Sequence, residues 1–224
     1  MNVASYIDHT ILKPDTLLDD VKKLCSEAIE YKFAAVCVPP PFVNVSKEFT
    51  KGTDIKVATV IGFPFGYAAT EAKVAEVYRA LEDGADELDI VINISDVKNG
   101  YWQKIEKEMT QLITPVHENA KIVKVIIESG SLTDAEIIRC CGICAHINAD
   151  YVKTSTGYAE SGATLHAVQL MRANLPSGIS KKASGGIRTY EAAKQYIEAG
   201  ADRIGCSAGV SIIKQQSADQ WAEY

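Results

Sequence analysis

The sequence predicts an α/β fold in which residues 1–224 form one domain, a (β/α)₈ barrel of the TIM-barrel type. Short runs rich in β-branched residues alternate eight times with longer amphipathic segments, which is the pattern of a parallel sheet covered by helices. Eight units within 224 residues favour a closed barrel, because closure leaves no strand edge exposed. An open, doubly wound sheet is the alternative, but no G-x-G-x-x-G motif follows the first strand, so the signature of dinucleotide binding is missing.

The strands are predicted where β-branched and apolar residues cluster between Gly, Pro, Asn and Asp residues. In chain order these runs cover 6–10, 33–38, 56–63, 87–93, 121–128, 150–156, 180–184 and 203–206. Catalytic side chains of a barrel lie at the carboxyl ends of its strands and in the loops that follow. The chemistry is therefore expected at these ends.

Six helices are predicted between the strands, over 17–31, 69–83, 99–118, 133–148, 163–174 and 189–199. Thr133 and Glu136 have the spacing of a capping box, in which each side chain accepts a hydrogen bond from the other residue's backbone N–H. Gly84 and Gly200 lie where helices would end in a left-handed residue, and a strand follows each within a few residues. Such short connections are usual in parallel α/β folds.

The overall composition argues against strongly anionic partners. The formal net charge is −6, so neither nucleic acid nor a membrane is an expected partner, and any phosphate must be bound by a local site. No basic segment followed by an apolar stretch opens the chain, and no window approaches about 18 consecutive apolar residues. We therefore expect a cytoplasmic protein.

The six cysteines are expected to be buried free thiols. Even numbers of cysteines suggest disulfides mainly in small secreted chains, and the residues around Cys37 are apolar. Cys140, Cys141, Cys144 and His146 could be taken for a metal cluster, but they lie in a helical pattern without a second group of ligands at zinc-like spacing. No metal is expected.

Ionisable residues occur within four of the predicted strands, at positions that normally hold apolar side chains. Because alternate strand residues share a face, and Leu88 and Ile90 would pack against helices, Asp89 should point into the barrel. Buried charges are costly unless they are paired or have shifted pKa values, and such clusters concentrate at functional sites. The same periodicity directs five residues inward: Asp89, Lys124, Glu128, Lys153 and Lys182.

Lys153 and Lys182, on neighbouring strands, are the leading candidates for catalysis. A lysine near another cation has a depressed pKa and holds a free amine at neutral pH, which can attack a carbonyl carbon. The alternative is a structural network of ion pairs, or lysines at exposed strand ends. We favour that alternative for Lys181.

Glycine-rich loops follow the last two strands, where barrel enzymes often bind phosphate. Gly185 and Gly186 follow the seventh strand, and Gly205 and Ser207 belong to the eighth strand and its loop. Glycines let backbone N–H groups converge on an anion, and a helix N-terminus after each loop adds a favourable dipole. Gly157, after the sixth strand, is a further candidate, although tight turns explain glycine pairs equally well.

Together these segments resemble the deoxyribose-phosphate aldolase family along nearly the whole chain. The matching motifs, in the family's order, are DHTILKP, AAVCVPP, VIGFPFG, ELDIVIN, KVIIE, DYVKTSTG, KASGGIRT and RIGCSAG. The resemblance implies reversible cleavage of 2-deoxy-D-ribose 5-phosphate to acetaldehyde and D-glyceraldehyde 3-phosphate, in deoxyribose catabolism and without a cofactor. The expected partners are a sugar phosphate and aldehydes, and a homodimer is expected because the family often forms dimers.

The resemblance also implies roles for individual residues. Lys153 would form the Schiff base, Lys182 would perturb its pKa and aid proton transfer, and Asp89 would serve in the proton relay. Lys124 would support the same network, and Tyr224 matches a C-terminal tyrosine implicated in proton transfer at the enamine carbon. The substrate- and phosphate-binding candidates are Thr154, Gly157, Gly185, Gly186, Gly205, Ser207 and Cys37, although the apolar surroundings of Cys37 favour a core position.

One residue departs from part of the family. Some members have a basic residue after TSTG that contacts the substrate, whereas this chain has Tyr158 there, as other members have an aromatic. Phosphate affinity would then depend more on the glycine loops.

Three other functions stay open: a Schiff-base aldolase for another sugar phosphate, a metal-dependent lyase, and a sugar-phosphate binder without catalysis. The four histidines are scattered, which argues against the metal-dependent lyase.

Overall fold

The structure, a computed structural model, describes residues 2–222 and contains a closed barrel of eight parallel strands in sequential order. Each strand pairs with the next along the chain, and β8 closes the sheet by pairing with β1, where Ile7 is the neighbour of Ile204. The predicted α/β barrel is therefore confirmed. The strands are β1 Ile7–Thr10, β2 Ala35–Val38, β3 Lys56–Ile61, β4 Glu87–Val91, β5 Ile122–Ile126, β6 Tyr151–Lys153, β7 Ser180–Ser184 and β8 Arg203–Cys206.

Four of the eight predicted strands, β3 to β6, extended too far toward their carboxyl ends, and β6 shows why. The apolar and β-branched run continues to Thr156, but the strand ends at Lys153. Beyond that residue the backbone N–H of Thr156 bonds to the carboxylate of Glu128 rather than to a neighbouring strand. A side chain thus replaces the ladder at the point where the chain turns out of the barrel.

Nine α-helices occur within the described residues, and six of them lie where the sequence predicted helices. Helix α2 was missed because three prolines precede it, α4 because it is only five residues long, and α9 because it begins at a glycine in a loop-like segment. The helices are α1 Leu18–Tyr31, α2 Val43–Phe49, α3 Thr70–Glu82, α4 Ile94–Lys98, α5 Trp102–Glu118, α6 Asp134–His146, α7 Leu165–Asn174, α8 Tyr190–Ala199 and α9 Gly209–Ala222.

The predicted helix ends are present. At α6, the Thr133 hydroxyl accepts a hydrogen bond from Glu136 N at 3.3 Å, and the Glu136 carboxylate accepts one from Thr133 N at 2.7 Å. This is the predicted capping box. Gly84 and Gly200 have φ values of 92° and 113°, so the chain leaves α3 and α8 through left-handed residues.

The two faces of the sheet differ sharply. Outward-facing side chains such as Leu88, Ile90 and Val125 pack against the helices and form the main apolar core. Inside the barrel, a small apolar cluster of Cys37, Ala58 and Val60 lies beside buried ionisable side chains. All six cysteines are buried free thiols, as predicted.

No helix within residues 2–222 is long and apolar enough to cross a membrane. The cytoplasmic location stays a prediction.

Candidate active site

Asp89, on the inner face of β4, is the centre of a group of ion pairs inside the barrel. Its Oδ1 lies 2.7 Å from Lys124 Nζ, and its Oδ2 lies 2.8 Å from Lys153 Nζ and 2.9 Å from Lys182 Nζ. Strand register accounts for the meeting, since Asp89 is the neighbour of Lys124 across β4 and β5. Lys153 is likewise the neighbour of Lys182 across β6 and β7. All four side chains are buried, so their predicted inward orientation is confirmed.

A second layer of charges lies nearer the amino ends of the strands. The Arg203 guanidinium donates to Asp8 Oδ1 at 2.8 Å and to both carboxylate oxygens of Glu87, at 2.7 and 2.8 Å. Glu87 also lies 2.6 Å from Lys124 Nζ, and Asp8 Oδ2 lies 2.5 Å from Lys182 Nζ. We call the two layers together the lumen network; it comprises Asp8, Glu87, Asp89, Lys124, Lys153, Lys182 and Arg203.

Sequence reasoning did not assign a role to Arg203. The signal was present, because Arg203 and Gly205 occupy alternate positions of β8 and therefore share the inner face. Its register partner is Lys182, which was already expected to point inward.

The lumen network contains one more cation than it contains carboxylates: four basic side chains face three acidic ones. A buried excess charge is costly, so the network is best balanced when one lysine is neutral. Arginine stays protonated under ordinary conditions, which leaves the three lysines as candidates.

The pKa directions indicate which lysine gives up its proton. Burial lowers the pKa of Lys153, and the charge of Lys182 lowers it further, against the opposing attraction of Asp89. Burial acts in the same direction on Lys124 and Lys182, but the nearby carboxylates outweigh it and raise the pKa of both. Burial would raise the pKa of Asp89, yet the three lysines together hold it well below its usual range. Lys153 is the lysine best suited to be a free amine.

A cavity of about 390 Å³ opens at the carboxyl ends of β1, β6, β7 and β8. Among the described residues, Lys153 is the one lysine of the lumen network that lines it. Asp89 contacts Lys153 from within the barrel and joins it to Lys182. The arrangement gives a bound aldehyde access to one amine, which is backed by groups that can exchange protons with it.

The cavity wall contains most of the predicted binding residues. Loops after β6, β7 and β8 bring together Gly157, Gly185, Gly186, Gly205 and Ser207. Helix α9 begins at Gly209, two residues beyond Ser207, so its N-terminus lies next to this wall. Backbone N–H groups from glycine loops and a nearby helix N-terminus suit a phosphate.

Gly205 has a steric reason to be glycine. A Cβ atom at this position would lie 2.2 Å from Ser184 Oγ and 3.0 Å from Lys182 Cε. A larger residue at position 205 would therefore displace Lys182 or narrow the cavity.

Two of the predicted binding residues do not line the cavity. The Thr154 hydroxyl accepts a hydrogen bond from Ser184 N at 3.1 Å and donates one to Ser184 O at 3.2 Å, so it joins β6 to β7. Cys37 is fully buried in the inner apolar cluster, and burial raises the pKa of its thiol. The structure thus gives Thr154 a structural role and places Cys37 in the core.

Tyr158 forms part of the cavity wall in a way that the sequence did not indicate. Its hydroxyl donates to the carbonyl oxygen of Leu12 at 2.8 Å, and its ring packs edge-to-face against Phe63 with centroids 5.4 Å apart. Two cationic residues that sequence reasoning left without a role, Lys13 and Arg188, also line the cavity. Both belong to motifs quoted above. A single charged residue in a loop is not part of a repeating pattern, so the sequence did not indicate that its side chain lines the cavity.

Two other residues can be placed or set aside. Lys181 forms an ion pair with Asp202 at 2.7 Å, which agrees with the structural alternative favoured for it. Tyr224 lies outside the described residues.

A sequence profile described as DeoC/LacD family aldolase matches residues 2–216. The chain belongs to the DeoC/LacD family of aldolases. Among curated relatives, the deoxyribose-phosphate aldolase of Thermococcus gammatolerans is 50% identical over 216 residues, which cover 96% of each chain.

Solved structures of aldolases share the fold of this DeoC/LacD family member. An aldolase named QR15 superposes with a TM-score of 0.91 and 38% identity, covering 98% of both chains. The deoxyribose phosphate aldolase of Aeropyrum pernix, whose structure is described as tetrameric, gives a TM-score of 0.90 and 32% identity, over 96% of this chain and 91% of that one.

Proposed function

We propose that this protein is a deoxyribose-phosphate aldolase that works through a Schiff base on Lys153. The observation that carries the proposal is the position of Lys153: it has a lowered pKa, and it is the lumen lysine that reaches the cavity. The relatives named deoxyribose-phosphate aldolase support the choice of substrate.

Substrate binding would place the phosphate against the loops after β7 and β8. The glycine-rich wall offers backbone N–H groups, and Arg188 and Lys13 add positive charge to the same cavity. The open-chain sugar would extend from there toward Lys153, with its C1 aldehyde at the amine. A cavity of about 390 Å³ is large enough for a five-carbon sugar phosphate, because small-molecule sites begin at about 300 Å³.

The covalent steps follow from the chemistry of a free amine. The Lys153 amine attacks the C1 carbonyl, and loss of water from the adduct gives an iminium ion. The C3 hydroxyl loses its proton, the C2–C3 bond breaks, and its electron pair moves toward the iminium nitrogen. D-Glyceraldehyde 3-phosphate leaves, and an enamine stays on Lys153.

The second half of the cycle returns the free enzyme. A proton is added to the enamine carbon, the resulting iminium takes up water, and acetaldehyde is released from the regenerated amine. Asp89 Oδ2 lies 2.8 Å from the Lys153 amine and 2.9 Å from Lys182 Nζ, so it joins the two lysines. We therefore assign Asp89 and Lys182 to proton transfer. The participation of Tyr224 in protonating the enamine carbon stays a prediction.

Assembly and biological setting complete the proposal. Cleavage of a deoxyribose phosphate into two aldehydes is a degradative step, which agrees with the predicted place in deoxyribose catabolism. The predicted homodimer stays a prediction; the Aeropyrum pernix relative is described as a tetramer.

Reductive trapping tests the proposal directly. Protein incubated with deoxyribose 5-phosphate or acetaldehyde would be treated with borohydride, and the modified peptide would be identified by mass spectrometry. We expect one adduct, on Lys153. An adduct on Lys182 would reverse the two lysine roles, whereas ligand binding without any adduct would contradict the Schiff-base mechanism. Trapping with aldehydes derived from other sugar phosphates would identify a different substrate.

A further inference from the structure

Glu128, just beyond β5, has an unusual backbone conformation and a buried side chain. Its φ and ψ angles are 52° and 57°, in the left-handed region that residues with a side chain rarely adopt. Only 2% of the residue is exposed. A strained, buried carboxylate at the carboxyl end of a barrel strand indicates a functional constraint.

The carboxylate of Glu128 binds the segment that follows the proposed nucleophile. Its two oxygens accept hydrogen bonds from Thr156 N at 3.3 and 3.2 Å, and Oε2 also accepts one from Thr156 Oγ1 at 2.5 Å. On either side of Glu128 the backbones remain paired, since Ile127 N donates to Lys153 O and Ser129 N donates to Thr154 O. Glu128 therefore holds the chain where it leaves β6.

Glu128 is also related to Lys153 through electrostatics. Ion pairs join the other acidic side chains inside the barrel directly to lysine or arginine, whereas the hydrogen bonds found for the Glu128 carboxylate come from Thr156. Burial raises the pKa of Glu128, while its bonds to Thr156 and the positive charge of Lys153 lower it. The hydrogen bond from Ile127 N to Lys153 O places the residue before Glu128 beside Lys153.

The charge balance of the lumen network makes this relation relevant to catalysis. With Lys153 neutral, the network has three cations and three carboxylates; as an ammonium or an iminium, Lys153 adds one uncompensated positive charge. A carboxylate outside the network but near Lys153 would compensate that charge. Glu128 is such a group.

We propose that Glu128 is a positioning residue for Lys153, which fixes the segment after β6 through Thr156 and, as a carboxylate, favours the cationic forms of Lys153. The proposal rests on the proposed function of Lys153 as the nucleophile. The ionisable groups whose charges act together with that of Lys153 are Asp89 from β4, Lys182 from β7, Cys37 from β2 and Glu128 from the end of β5. Glu128 is the one among them whose side chain is shown hydrogen bonded to Thr156, in the segment following β6.

Two substitutions separate charge from positioning. Glu128→Gln keeps an oxygen that can accept from Thr156 N but removes the charge, whereas Thr156→Val keeps the charge and removes the hydroxyl. We expect Glu128→Gln to shift the acidic limb of the pH profile of kcat/KM toward lower pH by about one unit, because loss of a nearby negative charge lowers the pKa of Lys153. Thr156→Val should lower kcat without moving the profile. A profile for Glu128→Gln that superposes on that of the unmodified protein would contradict the proposal.

A second measurement does not require a Glu128 variant to fold. Coupling between two titrating groups is reciprocal, so the loss of Lys153 must change the pKa of Glu128. We expect the pKa of Glu128, followed by ¹³C NMR of its carboxyl carbon, to rise in Lys153→Met relative to the unmodified protein. An unchanged value would overturn the proposal. Because this readout needs no turnover, it stands apart from reductive trapping, whose failure would instead reject Lys153 as the nucleophile.

Discussion

Buried lysines occur in two regions of this molecule, and their surroundings differ. Between α3, α5 and the end of β4, the fully buried Lys73 donates to Glu108 Oε2 and to Val91 O, each at 3.1 Å. There one lysine faces one carboxylate, and Thr70 Oγ1 donates to the same carboxylate at 3.1 Å. In the lumen network four basic side chains face three carboxylates, and Lys153 lines a cavity.

Burial by itself therefore does not make a lysine a nucleophile. Burial lowers the pKa of Lys73 as it does that of Lys153, in each case against an attracting carboxylate. What distinguishes Lys153 is a neighbouring cation, Lys182, together with contact with the cavity. A surplus of positive charge and access to a substrate are the two features that separate a reactive lysine from a structural one.

The largest expected effect separates the two lysines by substitution. Lys153→Met should lower kcat by about 10⁴-fold or more, as removal of a covalent nucleophile does, while leaving three cations and three carboxylates in balance. Lys73→Met should keep kcat within about tenfold but should lower the free energy of unfolding by about 3–5 kcal/mol, because the buried Glu108 loses its ion-pair partner. Turnover assays and urea denaturation of both variants measure the difference. Comparable losses of activity would mean that burial, not charge surplus, sets reactivity.

The pH dependence of turnover sharpens the comparison. The neutral amine is the attacking form, so kcat/KM should rise as pH increases, by about tenfold per pH unit below the pKa of Lys153. Because that pKa is lowered from its ordinary value of 10.5, the rise should level off below pH 10.5. Initial rates in buffers of constant ionic strength would show the midpoint. A value of kcat/KM that continues to rise with pH through pH 10.5 would show that the lumen network does not depress the pKa of Lys153.

The smallest expected effects come from two glycines, one beside each region. A Cβ at Gly62 would lie 2.8 Å from Lys73 Cε, and one at Gly205 would lie 3.0 Å from Lys182 Cε. Gly205→Ala should cost about 1–3 kcal/mol of stability through overpacking. Gly62→Ala should cost more, because its φ of 63° adds left-handed backbone strain to the overpacking. Gly205→Ala should also lower kcat, whereas Gly62→Ala should not, and thermal melts with turnover assays test this. In the Gly205→Ala background, Ser184→Ala should restore part of the stability, because Ser184 Oγ makes the closest contact.

The sequence was sufficient to predict those features that repeat. Alternation of strands and helices gave the barrel, and alternation within β4 placed Asp89 on the inner face, beside the lysines of the neighbouring strands. Motif resemblance indicated which of those lysines to propose as the nucleophile. These are patterns in which several residues reinforce one prediction.

Features that depend on one residue, or on a contact between distant segments, were not predicted. Arg203 is a single charge at the start of a short strand, and its partners Asp8 and Glu87 lie far from it along the chain. Thr154 was predicted as a binding residue, yet its hydroxyl is hydrogen bonded to the backbone of Ser184 in β7. Such roles depend on side-chain hydrogen bonds that only the folded structure defines.

The pairing of β1 with β8 has a consequence for how the protein is made. Asp8 and Arg203 are joined across 195 residues of chain, so a ribosome must deliver nearly the whole polypeptide before this ion pair can form. Until then the ionisable side chains of β4 to β7 have no complete set of partners and remain hydrated, because desolvating them unpaired is costly. Contacts of such long sequence separation also close slowly. Lys153 therefore reaches its final environment late in synthesis and folding.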